Sequence, residues 1–108
     1  MPDDRWYGAK TVFEFGGMNG ITAADEVMYE ERINVLKASD FEAALQRAES
    51  IARRYAADSG SEFLGFVEVY EMFDEVEDGA EIYSMTRPSR LTRNEYLDRC
   101  CRHRPVDL

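Results

Sequence analysis

The sequence has little of what enzymes commonly use for nucleophilic or metal chemistry. Its only histidine is His103, and its two cysteines, Cys100 and Cys101, are adjacent. A serine–histidine–aspartate triad needs a rigidly held histidine, which a loose terminal segment does not supply. Adjacent cysteines close a strained disulfide ring, and zinc sites space their cysteines a few residues apart. We therefore expect no catalytic residue and no cofactor, whereas the sequence leaves metal binding by these three side chains open.

The sequence also lacks the apolar run of about 20 residues that spans a membrane. Its first residues include acids where a secretory signal has a basic and then an apolar segment. No second cysteine pair is present to build a disulfide framework. We therefore expect a protein of the reducing cytoplasm with no membrane partner.

Basic residues are scarce outside the carboxyl-terminal part of the chain. The 108 residues carry 13 Lys and Arg against 22 Asp and Glu, a net charge of −9. Six of the arginines fall in residues 87–108, so residues 1–86 form a strongly acidic body. Phosphate contacts need clustered cations, which argues against a nucleic-acid partner. A protein partner with a basic surface fits this charge better.

The pattern that is present predicts strands and one long helix. Residues 6–15 and 27–38 alternate apolar and polar side chains, as half-buried strands do. Residues 39–60 carry an apolar stripe at helical spacing, opened by a capping box from Ser39 to Glu42 and closed at Gly60.

The second half of the chain predicts two more strands. Residues 63–73 are apolar on both parities, which predicts a central strand covered on both faces. The turn signal Asp78-Gly79 predicts a hairpin with a return strand over residues 80–87, and Thr92 opens a short helix.

Together these elements predict an α+β domain with a four-stranded, mostly antiparallel sheet (β-β-α-β-β). One long helix covers one face, and a short helix lies at the carboxyl end. We expect a single domain over residues 1–108, with a core over 6–97 and a basic, loose tail over 98–108.

One helix leaves the second face of the predicted sheet uncovered. That face would be a larger apolar patch than monomers usually expose, so we expect a homodimer. The candidate interface residues are Phe66, Tyr70, Met72, Tyr83 and Met85.

Charged residues on the strands give the candidate binding site. Glu30 and Arg32 share one strand face, and carboxylates on neighbouring strands would complete a polar pocket on the second face. The alternative is a ladder of cross-strand ion pairs. Glu31 lies on the apolar parity, either wet at a sheet edge or buried with a raised pKa. The candidate binding residues are Trp6, Glu30, Arg32, Glu68, Tyr70 and Glu81.

Several short motifs, in order, resemble a known family. They are Trp6-Tyr7 with Lys10 and Phe13-Glu14, Tyr29-Glu30-Glu31-Arg32-Ile33, Ala38 with Glu42-Ala43, Phe63-Leu64-Gly65-Phe66 with Val69-Tyr70-Glu71, and Gly79-Ala80-Glu81-Ile82-Tyr83-Ser84. Over residues 6–97 the chain resembles the bacterial family filed as domain of unknown function 4288. The resemblance implies no activity, cofactor or catalytic residue, and Cys100, Cys101 and His103 lie outside it.

The leading functional hypothesis is a non-enzymatic, dimeric module that binds a protein or regulates it, as the small acidic immunity proteins that neutralise toxins do. The net charge, the uncovered face and the missing nucleophile–base pair support it. The alternative is a small-ligand binder or enzyme that uses the Glu and Arg cluster on the second face.

Overall fold

Among the residues that the structure describes, three strands form one antiparallel sheet, in which the first strand of the chain lies between the other two. The structure, a computed structural model, describes residues 4–16, 23, 25–84 and 86–101. Its elements are β1 (Arg5–Gly16), β2 (Met28–Ala38), α1 (Phe41–Ser59), β3 (Glu62–Glu71) and α2 (Arg93–Tyr96), which continues as a π-helical turn (Leu97–Cys101). The α+β class is as predicted, but the four-stranded sheet is wrong.

The central strand is β1, and β3 lies at an edge of the sheet. The prediction that residues 63–73 form the central strand is therefore wrong. Thr11 pairs with Val67 and Phe13 with Phe63, so β3 holds extra residues in a bulge, within which Gly65 has φ of 82°. The bulge adds two residues, so side-chain parity is the same on both sides of it, and Phe63, Val67 and Val69 all lie on the sheet face that carries Phe13. On the other parity, Tyr70 packs against Tyr83, whereas Leu64 and Phe66 are exposed.

The helix α1 packs on the sheet through alanines. Ala44, Ala48 and Ala52 are buried, and side chains this small let the helix approach the strands closely. The N-cap is Asp40, which accepts a hydrogen bond from the amide of Ala43 at 2.7 Å, so the predicted capping box at Ser39 is one residue too early. The helix ends, as predicted, at a left-handed Gly60.

The predicted return strand over residues 80–87 does not form in the described part of that segment. The turn at Asp78-Gly79 is present, with the amide of Ala80 donating to the carbonyl of Glu77 at 3.0 Å. The amide of Glu81 donates to the Asp74 carboxylate at 3.3 Å, so a side chain takes the place of a ladder partner. Residues 72–84, the acidic arm, return to the sheet, where Tyr83 packs against Tyr70 of β3.

Side-chain parity assigns the two faces of the sheet. On β1, Tyr7, Ala9, Thr11 and Phe13 are buried on the side of α1, the helix face. Residues of the other parity belong to the second face. On β2 the even-numbered residues point to the helix face, so its apolar odd-numbered residues, Tyr29, Ile33 and Val35, lie exposed on the second face.

Candidate functional site: an acidic cavity on the second face

Tyr70 of β3 anchors the candidate site. Its register partner on β1 is Gly8, and a Cβ atom at Gly8 would overlap the Tyr70 ring, so the ring lies across this glycine. Tyr83 of the acidic arm packs against Tyr70 with ring centroids 5.3 Å apart. Burial raises the pKa of Tyr70, whose hydroxyl has no hydrogen-bond partner among the described residues. The glycine therefore makes room for an aromatic pair.

A cavity of about 330 Å³ opens beside this aromatic pair. That volume falls in the range of small-ligand pockets. The lining residues come from β3 and the acidic arm, and they are Glu68, Tyr70, Glu71, Met72, Phe73, Asp74, Glu81, Ile82, Tyr83 and Ser84.

Every charged side chain that lines the cavity is a carboxylate. Arg5 pairs with Glu71 at 3.1 Å between Nη1 and Oε1, and Asp74 accepts from the Glu81 amide. The carboxylates of Glu68 and Glu81 also line the cavity, beside two tyrosine rings. Carboxylates and aromatic faces together suit an organic cation, such as a guanidinium or ammonium group.

Trp6 of β1 fixes the start of the acidic arm. Its indole Nε1 donates to Glu75 Oε2 at 3.0 Å, and its carbonyl accepts from the Met72 amide at 2.9 Å. The next residue, Phe73, is 98% exposed, although it also lines the cavity. The arm is therefore held at one end and presents a bare aromatic ring at the cavity.

Glu31 lies on the second face of the edge strand β2. It pairs with Lys10 at 2.6 Å between Oε1 and Nζ, and 64% of its side chain is exposed. This contact raises the pKa of Lys10. The wet-edge interpretation of Glu31 is confirmed. Lys10 also lies opposite the cavity residue Glu68 in the register of β1 and β3, and the charges of Tyr83 and Glu68 add to the rise of its pKa.

Glu30 and Arg32 lie on the helix face, against Tyr55 of α1. The Tyr55 hydroxyl donates to Glu30 Oε1 at 2.6 Å, and the Arg32 guanidinium carbon lies 3.4 Å from the ring centroid. The hydrogen bond raises the pKa of Tyr55, and burial adds to the effect. The prediction that Glu30 and Arg32 join a pocket on the second face is wrong, because the opposite parity of β2 points there.

The structure thus divides the six predicted binding residues. It brings Glu68, Tyr70 and Glu81 into one cavity and places Trp6 at the foot of the arm. Sequence reasoning missed Phe73 and Asp74 as lining residues, although Phe73 ends the strand predicted over residues 63–73 and Asp74 follows it directly.

The candidate interface residues are divided as well. Met72 is buried within the chain, and Tyr83 packs on Tyr70, so these residues cover the second face in part. Phe66, beside the β3 bulge, is exposed, and Met85 lies outside the described residues.

The carboxyl-terminal helix carries the two thiols. The capping box of Thr92 and Glu95 is present as predicted, and Cys100 is partly buried while Cys101 is exposed. His103 lies outside the described residues, so whether Cys100, Cys101 and His103 bind a metal together stays an open prediction. Among the helices described, none is both long and apolar enough to cross a membrane.

These features define a small α+β domain with an acidic, aromatic cavity. The family model for the domain of unknown function DUF4288 matches residues 6–84, and the chain belongs to that family. No curated protein and no solved structure matches the chain. The match contains β1 to β3, α1 and the whole acidic arm, and it ends before α2.

Proposed function

We propose that the protein is a non-enzymatic binding module that takes a lysine or arginine side chain of a protein partner into the acidic cavity. The observation that supports this proposal is the lining of the cavity, which combines the Tyr70–Tyr83 ring pair with carboxylates and contains no basic side chain. A guanidinium or ammonium group satisfies both features through charge-assisted hydrogen bonds and contact with a ring face.

Phe73 supports a protein partner over a free small molecule. A phenylalanine that is 98% exposed costs solvation in the free chain, and its ring gains most when a partner buries it. It stands among Asp74, Glu75, Glu77 and Asp78, all exposed. The complementary surface is therefore basic with an apolar pocket, as a toxin or enzyme neutralised by this chain would present.

The cavity lies within one chain, so binding through it does not require the homodimer that the sequence predicts. We place the protein in the bacterial cytoplasm, since its two cysteines are neighbours in the sequence and both are free thiols.

Peptide titration tests the cavity directly. Acetyl-Gly-Arg-Gly-amide, its lysine analogue and its glutamate analogue are added to the labelled protein while backbone NMR shifts are recorded. We expect the two basic peptides to shift residues 68–84, with weaker binding at higher salt. Glu68→Gln with Glu81→Gln should weaken binding at least several-fold, whereas the charge-matched control Glu42→Gln with Glu49→Gln should not. Equal binding of the glutamate peptide, or no shift at these residues, would overturn the proposal.

Two further experiments distinguish a protein partner from a small ligand. Tetramethylammonium is the probe for a free cation, and binding as tight as that of the arginine peptide would favour a small-ligand site. In lysate capture, a partner that Phe73→Ala loses and Phe41→Ala keeps would support the protein partner, because Phe41 is also exposed but lies on α1.

A further inference from the structure

The strand β2 has one unpaired edge. It pairs with β1 along its 11 residues, and no other described strand lies beside it. Open edges of this length invite pairing with another strand. On the second face, Tyr29, Ile33 and Val35 are 57%, 42% and 38% exposed, so the open edge is also apolar.

The sequence of β2 is complementary to itself in one register. Two copies related by a twofold axis normal to the sheet pair antiparallel, and opposed residues must share a face. With the axis at Asn34, Ile33 lies opposite Val35 of the second copy, and Glu31 lies opposite Lys37. Two apolar pairs are then flanked by two pairs of opposite charge, all on the second face.

Neighbouring registers lose this match. With the axis at Ile33, Glu31 lies opposite Val35, and with the axis at Val35, Lys37 lies opposite Ile33. On the second face, each puts a charge against an exposed apolar side chain, whereas the register centred on Asn34 does so only on the helix face, where Arg32 lies opposite Leu36 and Glu30 opposite Ala38. With the axis at Glu31, two carboxylates oppose each other, which is unfavourable. The register centred on Asn34 is therefore the favoured one among these.

We propose that two copies of the chain form a homodimer by antiparallel pairing of their β2 strands, centred on Asn34. The two three-stranded sheets become one continuous sheet, with both α1 helices on the same side. The exposed residues Ile33 and Val35 then pack across the junction. The acidic cavities lie beyond β1 at the far edges, so this interface leaves them open.

Sedimentation of the full chain tests the interface. We expect a dimer for the wild type and a monomer for Ile33→Lys, because the new lysine faces Val35. Phe41→Lys is the matched control, since it also replaces an exposed apolar residue but on α1, and it should stay dimeric. Circular dichroism checks that both variants fold. A wild type that is monomeric at NMR concentrations, or equal effects of both variants, would overturn the proposal.

Charge reversal tests the register. Glu31→Lys and Lys37→Glu should each weaken the dimer, because each puts like charges opposite one another. The double variant should dimerise again, and a mixture of the two single variants should form a mixed dimer with both charge pairs intact. Within one chain, Glu31 pairs with Lys10, and Lys37 Nζ lies 4.9 Å from the centroid of the Trp6 ring. Lys10→Gln removes the first of these contacts and should leave the dimer in place. Failure of both rescues would overturn this register.

Discussion

The two faces of one sheet are covered by different means. On the helix face, a regular helix packs through three alanines, and Tyr55 gives Glu30 a hydrogen-bond partner. On the second face, an irregular acidic arm lies over β3 through Tyr83 and leaves the apolar side of β2 exposed. Stability is therefore expected to reside mainly on the helix face, and binding on the second face.

The largest difference between the faces should come from phenylalanine truncation. Phe13 is fully buried on the helix face and contacts the rings of Tyr55 and Phe63. Phe13→Ala should lower the free energy of unfolding by about 3–5 kcal/mol. Phe66→Ala, at an exposed position of β3, should cost less than about 1 kcal/mol. Urea denaturation measures both, and similar losses would contradict the comparison.

The close approach of Tyr70 to Gly8 should give the next largest effect. Gly8→Ala puts a methyl group where the Tyr70 ring lies, at an expected cost of about 1–3 kcal/mol. In a Tyr70→Ala background the same change should cost much less, because the obstructing ring is gone. A thermodynamic cycle of the four proteins measures this coupling. A cost that is unchanged by Tyr70→Ala would show that the ring is not the obstacle.

The hydrogen bond between Tyr55 and Glu30 should contribute less to stability than the burial of Phe13 or the fit of Tyr70 against Gly8. Tyr55→Phe removes one partly buried hydroxyl and should destabilise the protein by about 1 kcal/mol. Tyr29→Phe is the control, since Tyr29 is exposed on the second face, and it should be close to neutral. The melting temperatures of both variants are measured in one buffer. Equal shifts of the two melting temperatures would contradict a specific contribution of the Tyr55 hydroxyl.

The pH dependence of the two tyrosines should differ in cause. The hydrogen bond to Glu30 raises the pKa of Tyr55, and burial raises the pKa of Tyr70, both above the usual value of about 10. Since each pKa is raised in the folded state, the stability involved is complete below about pH 10 and is lost as pH rises through the folded pKa.

Glu30→Gln should separate these two titrations. It should lower the pKa of Tyr55, because the charged acceptor is gone, and leave the pKa of Tyr70 unchanged. An NMR titration of the tyrosine ring carbons reports each residue separately. Parallel movement of both pKa values would mean that the two faces are electrostatically coupled.

The strands of the first half and the long helix were predictable from the sequence because their apolar residues recur at a regular spacing. Sequence reasoning did not find which parity of β2 faces the helix, since alternation defines two faces without saying which one is covered. There the apolar parity is the open one, and Glu30 and Arg32 are buried in part by Tyr55. The sequence did carry one signal of this arrangement, which is Tyr55 at the end of the alanine-rich stripe of α1.

The errors in the second half have local causes. The edge strand β3 resembles a central strand because it is apolar on both parities: Val67 and Val69 join the core on the helix face, and Tyr70 packs against Tyr83 of the acidic arm on the second face. The acidic arm has a good turn but few strand-forming residues between Asp74 and Asp78, and a side-chain carboxylate takes the amide of Glu81. Glu68, Tyr70 and Glu81 were predictable as neighbours, whereas the cavity itself depends on the arm crossing the sheet.

The position of β1 in the sheet sets the order in which the chain can fold during synthesis. This strand is made first, yet its second neighbour, β3, is complete only when the ribosome has reached Glu71. Until then β1 can pair with β2 alone, and the middle of the future sheet is an open edge. Nascent or truncated chains that stop before β3 are therefore expected to be the aggregation-prone forms of this protein.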